Sequence, residues 1–459
     1  MQQSLNAYHR TVEKSIRRLL APLLRRAGAE SVSEAIFRAS VLNILTKAFT
    51  FLRYTAIAIA IGINGSTDVF FMAISVMGIY NTSAEALDSL GVPKLVRLAH
   101  NPPEHDRLVG SLLTFSIVVG LAMTLAAAVT LPISTKLAVG FTQSQSRLLL
   151  TYTYLMVPFV LFYFIFHCCG TVLRAQQYFT PFFAGQLIFA VCTLAVISAG
   201  FAISPDPVIL PISFTVAQVA ASAYVFTKAR NYLSFAYHLD RNCLVLLKEY
   251  GGLLIPYGFV ILTVLVDKIF GSLLPPKTIS ALTFALVLTQ TPSGILRVDK
   301  ILITPLAKAR DNGALLRTYV SRLLAFAAPI TVATFCFARP IVHILYGYGA
   351  FKGIDQALTA EALRYFALTI PASLVWPAIF STYQIRNRLG RVNLVMGLGI
   401  ALLVALDYLL VVRMHGGIRA VPTAQFISGL VTASLAYWSL PRTEAARPDP
   451  EHAVQCASL

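Results

Sequence analysis

Long apolar runs recur from residue 36 to residue 439 and are separated by short polar loops. An α-helix of about 20 apolar residues crosses a hydrocarbon core of about 30 Å. The pattern therefore predicts twelve transmembrane helices, at residues 36–62, 67–92, 108–132, 149–173, 180–203, 207–227, 249–274, 279–302, 319–345, 358–383, 392–412 and 418–439. None of the intervening loops is long enough to contain a soluble catalytic domain.

An internal repeat divides these spans into two sets of six. Segment 149–181 is echoed by segment 362–394, in which a tyrosine, a proline, an Ile-Phe pair and an arginine recur in the same order. Weak internal symmetry of this kind is typical of two-lobed transporters. We predict an all-α polytopic membrane protein with about 12 transmembrane helices in two six-helix lobes around a central cavity.

The repeat and the loops give the predicted domain boundaries. The chain is expected to comprise a cytoplasmic, basic, amphipathic N-terminal segment (1–35), an N-lobe with spans one to six (36–228), a cytoplasmic linker (229–248), a C-lobe with spans seven to twelve (249–440) and a cytoplasmic tail (441–459). In the first segment, leucines and an isoleucine between residues 16 and 24 share one helical face, and several arginines flank them. This pattern predicts a helix that lies on an anionic membrane surface.

Composition and charge agree with a membrane protein. The chain is 57% hydrophobic and 12% charged, with a mean hydropathy of +0.71, which excludes a large soluble helical protein. The net charge of +17 is unevenly distributed, because the predicted outer loops contain few cations: Lys136, Arg147, Lys277, Lys352, Arg413 and Arg419. The positive-inside rule therefore predicts that both termini are cytoplasmic. The basicity reflects topology, so no nucleic-acid partner is expected.

Charged residues inside the first span indicate a binding site. Lys47 and Arg53 lie in this span with Thr46 and Thr50, and ionisable groups within a membrane are costly and usually line a pathway. Two cations and two hydroxyl groups can bind a phosphate or pyrophosphate. The alternative is that Lys47 reaches the inner surface and Arg53 pairs with Glu85 or another acid.

Other spans contain charges that suit gates or ion pairs. Ser66, Thr67 and Asp68 are expected to cap the second span at the outer surface, and Glu85 lies toward its inner end. Span seven contains Asp267 and Lys268, which do not share a helix face, so each is expected to have a partner on another helix. Asp407 is expected to reach the outer interface.

Motifs for catalysis and for cofactor binding are not found in the sequence. It contains no Walker A motif and no Gly-x-Ser-x-Gly motif, and its six cysteines have no metal-binding spacing. The pattern favours transport over catalysis, so we predict a protein that is not an enzyme and has no cofactor or metal.

Five motifs occur in order at 65–71 (Gly-Ser-Thr-Asp-Val-Phe-Phe), 84–85 with 92–93 (Ala-Glu, Val-Pro), 292–296 (Pro-Ser-Gly-Ile-Leu), 346–351 (Tyr-Gly-Tyr-Gly-Ala-Phe) and 433–438 (Ala-Ser-Leu-Ala-Tyr-Trp). Together they cover roughly residues 36–440. They resemble the motifs of the MurJ/MviN-type flippases of the multidrug/oligosaccharidyl-lipid/polysaccharide exporter superfamily.

The resemblance implies two lobes that alternate between inward-open and outward-open states. It implies a bacterial inner-membrane protein that moves an undecaprenyl-pyrophosphate-linked saccharide from the cytoplasmic to the periplasmic leaflet. Membrane lipids and proteins of polysaccharide or cell-wall synthesis are its implied partners. By the same resemblance, Lys47 and Arg53 match pyrophosphate-binding cations, whereas Asp68, Glu85, Asp267 and Lys268 match acids and an ion pair of the gates.

Departures from the family pattern keep several functions open. Asn81 stands near the position of a further family arginine, and Leu286–Val287 replaces an Asp-Arg pair. The substrate is therefore either the peptidoglycan precursor lipid II or an exopolysaccharide repeat unit, with a slight preference for the latter. The alternatives are a drug/cation antiporter of the same superfamily, an integral-membrane glycan polymerase or ligase, and a scaffold that no longer transports.

Overall fold

The computed structural model describes residues 32–98, 100–234, 241–296, 312–386 and 388–440. Most of the predicted N-terminal amphipathic segment, part of the linker and the whole of the predicted tail lie outside these ranges. All regular secondary structure within them is helical. The helices divide into two compact units, whose boundary lies within one long helix, between Leu265 and Val266.

The first unit contains six helices and the first part of a seventh. Its packing pairs α2 with α4 and α4 with α6, while α5 contacts both α1 and α6. The helices are α1 (Val32–Ile61), α2 (Gly65–Arg97), α3 (Pro102–Ser134), α4 (Gln143–Ala175), α5 (Thr180–Ile203), α6 (Ile209–Ala229) and α7 (Arg241–Ser272). The short segment Tyr348–Phe351 also belongs to this unit.

The start of α2 corrects the predicted cap. Asn64 is the N-cap residue, and its Oδ1 accepts hydrogen bonds from the backbone N–H groups of Ser66 (2.9 Å) and Thr67 (3.0 Å). Thr67 Oγ1 in turn accepts a hydrogen bond from the Asn64 N–H (2.8 Å), which completes a capping box. Asp68 therefore lies in the first turn, where the positive end of the helix dipole favours its charge.

The second unit contains the end of α7 and the remaining helices. In this unit α13 packs against α14, α9 against α12, and α8 against α11. The helices are α8 (Thr278–Leu296), α9 (Asn312–Cys336), α10 (Ala338–Tyr346), α11 (Ile354–Ala367), α12 (Ile370–Ile385), α13 (Leu389–Asp407) and α14 (Ala420–Trp438).

The predicted span 358–383 is broken, although its counterpart in the repeat is continuous. Helices α11 and α12 meet at an angle of 46°. Pro371 lacks a backbone N–H and clashes with the carbonyl group four residues earlier, on Ala367, where α11 ends. In contrast, α4 continues through Pro158 from Gln143 to Ala175.

Eight of the described helices are long and apolar enough to cross a membrane, and the total is nine if α11 and α12 form one span. The three other predicted spans correspond to α2, α8 and α14. They are helical but fall short of that combination of length and hydropathy. The charged residues of α2 lie in its first turn (Asp68) and in its C-terminal half (Glu85, Asp88, Lys94 and Arg97), and α8 and α14 are 19 residues long. The polytopic, all-helical architecture predicted from the sequence is confirmed.

Candidate functional site

Arg53 of α1 is buried in the first unit with 6% of its surface exposed. Its guanidinium carbon lies 4.7 Å from the ring centroid of Phe214 and 5.1 Å from that of Tyr54. Within the described residues, Arg53 makes no ion pair and no side-chain hydrogen bond. A cation without an acidic partner in an apolar span is costly, and such residues usually serve a function.

An aromatic cluster from four helices holds the rings beneath Arg53. Phe214 makes T-shaped ring contacts with Phe70 and Phe189, with centroids 5.4 Å and 5.6 Å apart, and Tyr54 stacks on Phe71 at 5.9 Å. Stacking occupies the face of a guanidinium group and leaves its N–H groups free to point outward in the plane. This geometry suits bidentate binding of a phosphate oxygen pair.

Lys47 lies on the same helix as Arg53 and is partly exposed. Six residues correspond to about 9 Å along a helix axis, so the two cations are nearly two turns apart. Asp68, in the first turn of α2, is buried with 3% exposed. The structure therefore places both predicted pyrophosphate ligands on one helix and the predicted outer acid on the next.

Glu85 does not pair with Arg53. Instead, Tyr163 of α4 donates a hydrogen bond from its hydroxyl group to Glu85 Oε1 at 2.9 Å. The alternative in which Arg53 is a structural partner of Glu85 is therefore wrong for this structure.

A polar network around Asp88 was not predicted. Asp88 accepts a hydrogen bond from Thr171 Oγ1 (2.7 Å), lies 2.9 Å from His167 Nδ1 and forms an ion pair with Arg174. The Arg174 guanidinium also lies over the ring of Phe182, 4.1 Å from its centroid. The sequence signal is the spacing of Tyr163, His167, Thr171 and Arg174, which places a polar stripe on one face of an apolar helix.

In the second unit, Asp267 and Lys268 of α7 are both buried with 3% exposed. The Lys268 ammonium group donates hydrogen bonds to α8, to Thr283 Oγ1 and to the Ile279 carbonyl oxygen (3.4 Å). Both carboxylate oxygens of Asp267 are without a hydrogen-bond partner in the described part of the chain.

Asp407 at the end of α13 is fully buried, which corrects the expectation that it reaches the outer interface. Its carboxylate oxygens likewise have no hydrogen-bond partner among the described residues, and it is close enough to Asp267 for the two charges to repel each other. An apolar cluster of Val266, Leu403 and Ala424 packs these segments together. Two such acids can hold a proton or a cation between them.

A family model described as "Lipid II flippase MurJ" matches residues 57–459, which is most of the chain. The chain belongs to the MurJ family of lipid II flippases. Two curated relatives in the MurJ family show how low the sequence identity to this chain is. The "Probable lipid II flippase MurJ" of Buchnera aphidicola subsp. Acyrthosiphon pisum (strain APS) is 25% identical over 350 residues, or 72% of this chain and 68% of the relative. The "Lipid II flippase MurJ" of Burkholderia cenocepacia (strain J2315) is 23% identical over 362 residues, or 73% and 69%.

Solved structures show that the fold is that of MurJ and its superfamily. A structure of "Lipid II flippase MurJ, inward closed conformation" matches with a TM-score of 0.75 and 17% identity, over 88% of this chain and 87% of that one. An inward-facing multidrug resistance MATE family transporter matches with a TM-score of 0.70 and 10% identity, over 87% and 96%. The chain is therefore a multi-pass membrane protein of a family of lipid flippases, as the motifs predicted.

Proposed function

We propose that this chain moves an undecaprenyl-pyrophosphate-linked saccharide from the cytoplasmic to the periplasmic leaflet of the bacterial inner membrane. Lipid II is the first candidate substrate. The observation that carries the proposal is Arg53, a buried guanidinium group that lies against aromatic rings and has no acidic partner in the described residues. Membership of the MurJ family supports lipid II as the substrate.

Arg53 would bind the pyrophosphate of the substrate, and Lys47 would supply a second positive charge. The pyrophosphate carries charge and acceptor oxygens that a guanidinium group binds through two parallel hydrogen bonds. The rings of Tyr54 and Phe214 fix the plane of that group, so less rotational freedom is lost when the substrate binds. A drug/cation antiporter of the same superfamily would need an acidic or aromatic cavity in place of a cationic one, so the cations Lys47 and Arg53 disfavour that alternative.

Access to Arg53 requires a conformational change, because only 6% of the residue is exposed. We propose that the N-lobe (36–228) and the C-lobe (249–440) alternate between two states. Contacts made by four residues would break and re-form between these states: Asp68, Glu85, Asp267 and Lys268. Their burial supports such a role for Asp68, Asp267 and Lys268, because an ionisable side chain in an apolar interior needs compensating contacts in each state.

An exopolysaccharide repeat unit is the second candidate substrate. Asn81, near the position of a family arginine, has a buried Oδ1 without a hydrogen-bond partner in the described residues. A buried amide without a partner suits a sugar hydroxyl group better than a phosphate, since amides bind neutral donors and acceptors alike. Such a contact fits the saccharide of either candidate, and it is the absence of the family arginine near Asn81 that favours a changed head group.

The test is binding of purified protein to lipid II, to other undecaprenyl-pyrophosphate-linked saccharides and to undecaprenyl pyrophosphate, measured by native mass spectrometry. Loss of one bidentate, charge-assisted contact corresponds to about 1.5–3 kcal/mol. Arg53→Gln should therefore weaken binding of all three ligands by roughly tenfold to a hundredfold. Preference of the wild type among the saccharides would distinguish lipid II from an exopolysaccharide unit.

Arg107→Gln is the matched control, because Arg107 is an exposed arginine of the same unit. It removes one positive charge without altering the proposed site, so its binding should equal that of the wild type. Equal binding by wild type and by well-folded Arg53→Gln would overturn the proposed site. Failure of the wild type to bind any of the three lipids would overturn the proposed substrate class.

A further inference from the structure

A cavity of about 330 Å³ opens in the second unit where three helices end. It lies between the start of α9, the end of α12 and the end of α14. The residues that line it include two arginines, a threonine and two aromatic residues: Arg317, Thr382, Arg386, Tyr437 and Trp438. None of the predicted pyrophosphate ligands contributes to it.

The charge of this cavity suits an anion. Arg317 is exposed and makes no hydrogen bond or ion pair within the described residues, and no acidic side chain is among the described residues of the lining. Two guanidinium groups on facing helix ends can bind one phosphate group from two sides. The start of α13, which follows α12 in the chain, contains further arginines at positions 388 and 391, which raise the local positive potential.

The rest of the cavity suits a lipid. Its floor is an apolar cluster built on Leu316 and Ala378, with Leu440 and Tyr437 packed against it. At its edge, the Trp438 side chain is 72% exposed. Exposed tryptophans beside arginines at helix ends are characteristic of the membrane–water interface, and basic pockets between helices there bind anionic lipid head groups.

We propose that this cavity binds the phosphate of an anionic phospholipid, with Arg317 and Arg386 on the phosphate and the acyl chains along the apolar floor. The ligand is a membrane phospholipid and not the transported substrate, so the site stands apart from Arg53. Inorganic phosphate and undecaprenyl pyrophosphate share the phosphate chemistry, and the experiment below separates them. The positive-inside pattern places this end of the second unit at the cytoplasmic leaflet.

The experiment measures binding of the full chain to phosphatidylglycerol, phosphatidylcholine, undecaprenyl pyrophosphate and inorganic phosphate by native mass spectrometry. The wild type should bind phosphatidylglycerol more strongly than phosphatidylcholine. Arg317→Gln should weaken phosphatidylglycerol binding about tenfold, and the double variant Arg317→Gln/Arg386→Gln should abolish the preference over phosphatidylcholine. Binding of undecaprenyl pyrophosphate at Arg53 should persist in both variants.

Arg322→Gln is the matched control, since Arg322 is an exposed arginine of the same helix that does not line the cavity. It should bind phosphatidylglycerol like the wild type. Because Arg317 is exposed, its single variant is expected to fold, which size-exclusion chromatography verifies. The proposal is overturned if the arginine variants keep the preference, if inorganic phosphate displaces the phospholipid, or if undecaprenyl pyrophosphate is the ligand whose binding falls.

Discussion

At the residue scale, two charged side chains of the first unit, Asp88 and Arg53, have different surroundings. Asp88 is surrounded by a hydroxyl group, an imidazole ring and a guanidinium group, so its carboxylate is well compensated. Arg53 has aromatic rings for neighbours and no acid among the described residues. Removing one partner of a compensated buried pair destabilises the fold, whereas an uncompensated charge is available for a ligand. The two sites therefore require different tests.

Asp88→Asn tests the structural role of the network. The substitution leaves the Arg174 guanidinium, only 16% of whose side chain is exposed, without its counter-charge. Loss of one partner of a buried pair should lower the free energy of unfolding by about 3 kcal/mol. Thermal denaturation in detergent measures the effect. Asp106→Asn is the control, since 73% of the Asp106 side chain is exposed, and it should change stability little.

Equal stability of Asp88→Asn and the wild type would show that Arg174 is compensated by other groups. The imidazole ring of His167 cannot serve in that role, because its charge is either zero or positive. Such a result would therefore point to an anion or to water at the network.

At the element scale, local chemistry determines where the helices begin and break. The capping box of Asn64 and Thr67 starts α2, and Pro371 ends the preceding helix at Ala367. The first holds Asp68 in the initial turn of α2, and the second divides a predicted span of the second unit into α11 and α12.

Asn64→Ala tests the cap. It removes the acceptor of the Ser66 and Thr67 N–H groups, so we expect a loss of about 1 kcal/mol in stability. Asn101→Ala is a matched control, because Asn101 is also an N-cap residue but makes no side-chain capping hydrogen bond. Denaturation of the two variants in parallel should show a lower midpoint for Asn64→Ala alone. If Asn101→Ala lowered the midpoint of denaturation by the same amount as Asn64→Ala, the capping hydrogen bond itself would contribute nothing to stability.

At the scale of the whole molecule, the loop charges predict the orientation in the membrane. We expect the α2–α3 connection to face the cytoplasm and the α3–α4 connection to face outward. In a variant without the native cysteines, Arg147→Cys should therefore react with an impermeant maleimide in intact cells. Arg107→Cys should react only after the membrane is permeabilised.

Both residues are exposed, so a failure to react reports the side of the membrane and not burial. The opposite labelling pattern would place both termini outside and would contradict the predicted orientation.

The sequence by itself determined the helical membrane architecture and the family. Apolar runs of sufficient length have few alternatives to a spanning helix, since the bilayer leaves every backbone polar group to be satisfied within the segment. The motifs around Asp68 and Glu85 identified the family because each motif is local in sequence and can be recognised without the tertiary structure. The sequence also singled out Arg53, since a cation in an apolar span is conspicuous without any knowledge of its neighbours.

Only the tertiary structure decided which groups those charges meet. Glu85 meets Tyr163, 78 positions away, and Asp407 is buried near Asp267. The rings that hold Arg53 come from helices separated by more than a hundred residues of sequence. Partners on different helices are set by helix packing and rotation, which depend on side-chain fit across the whole bundle and have no signature in a single segment.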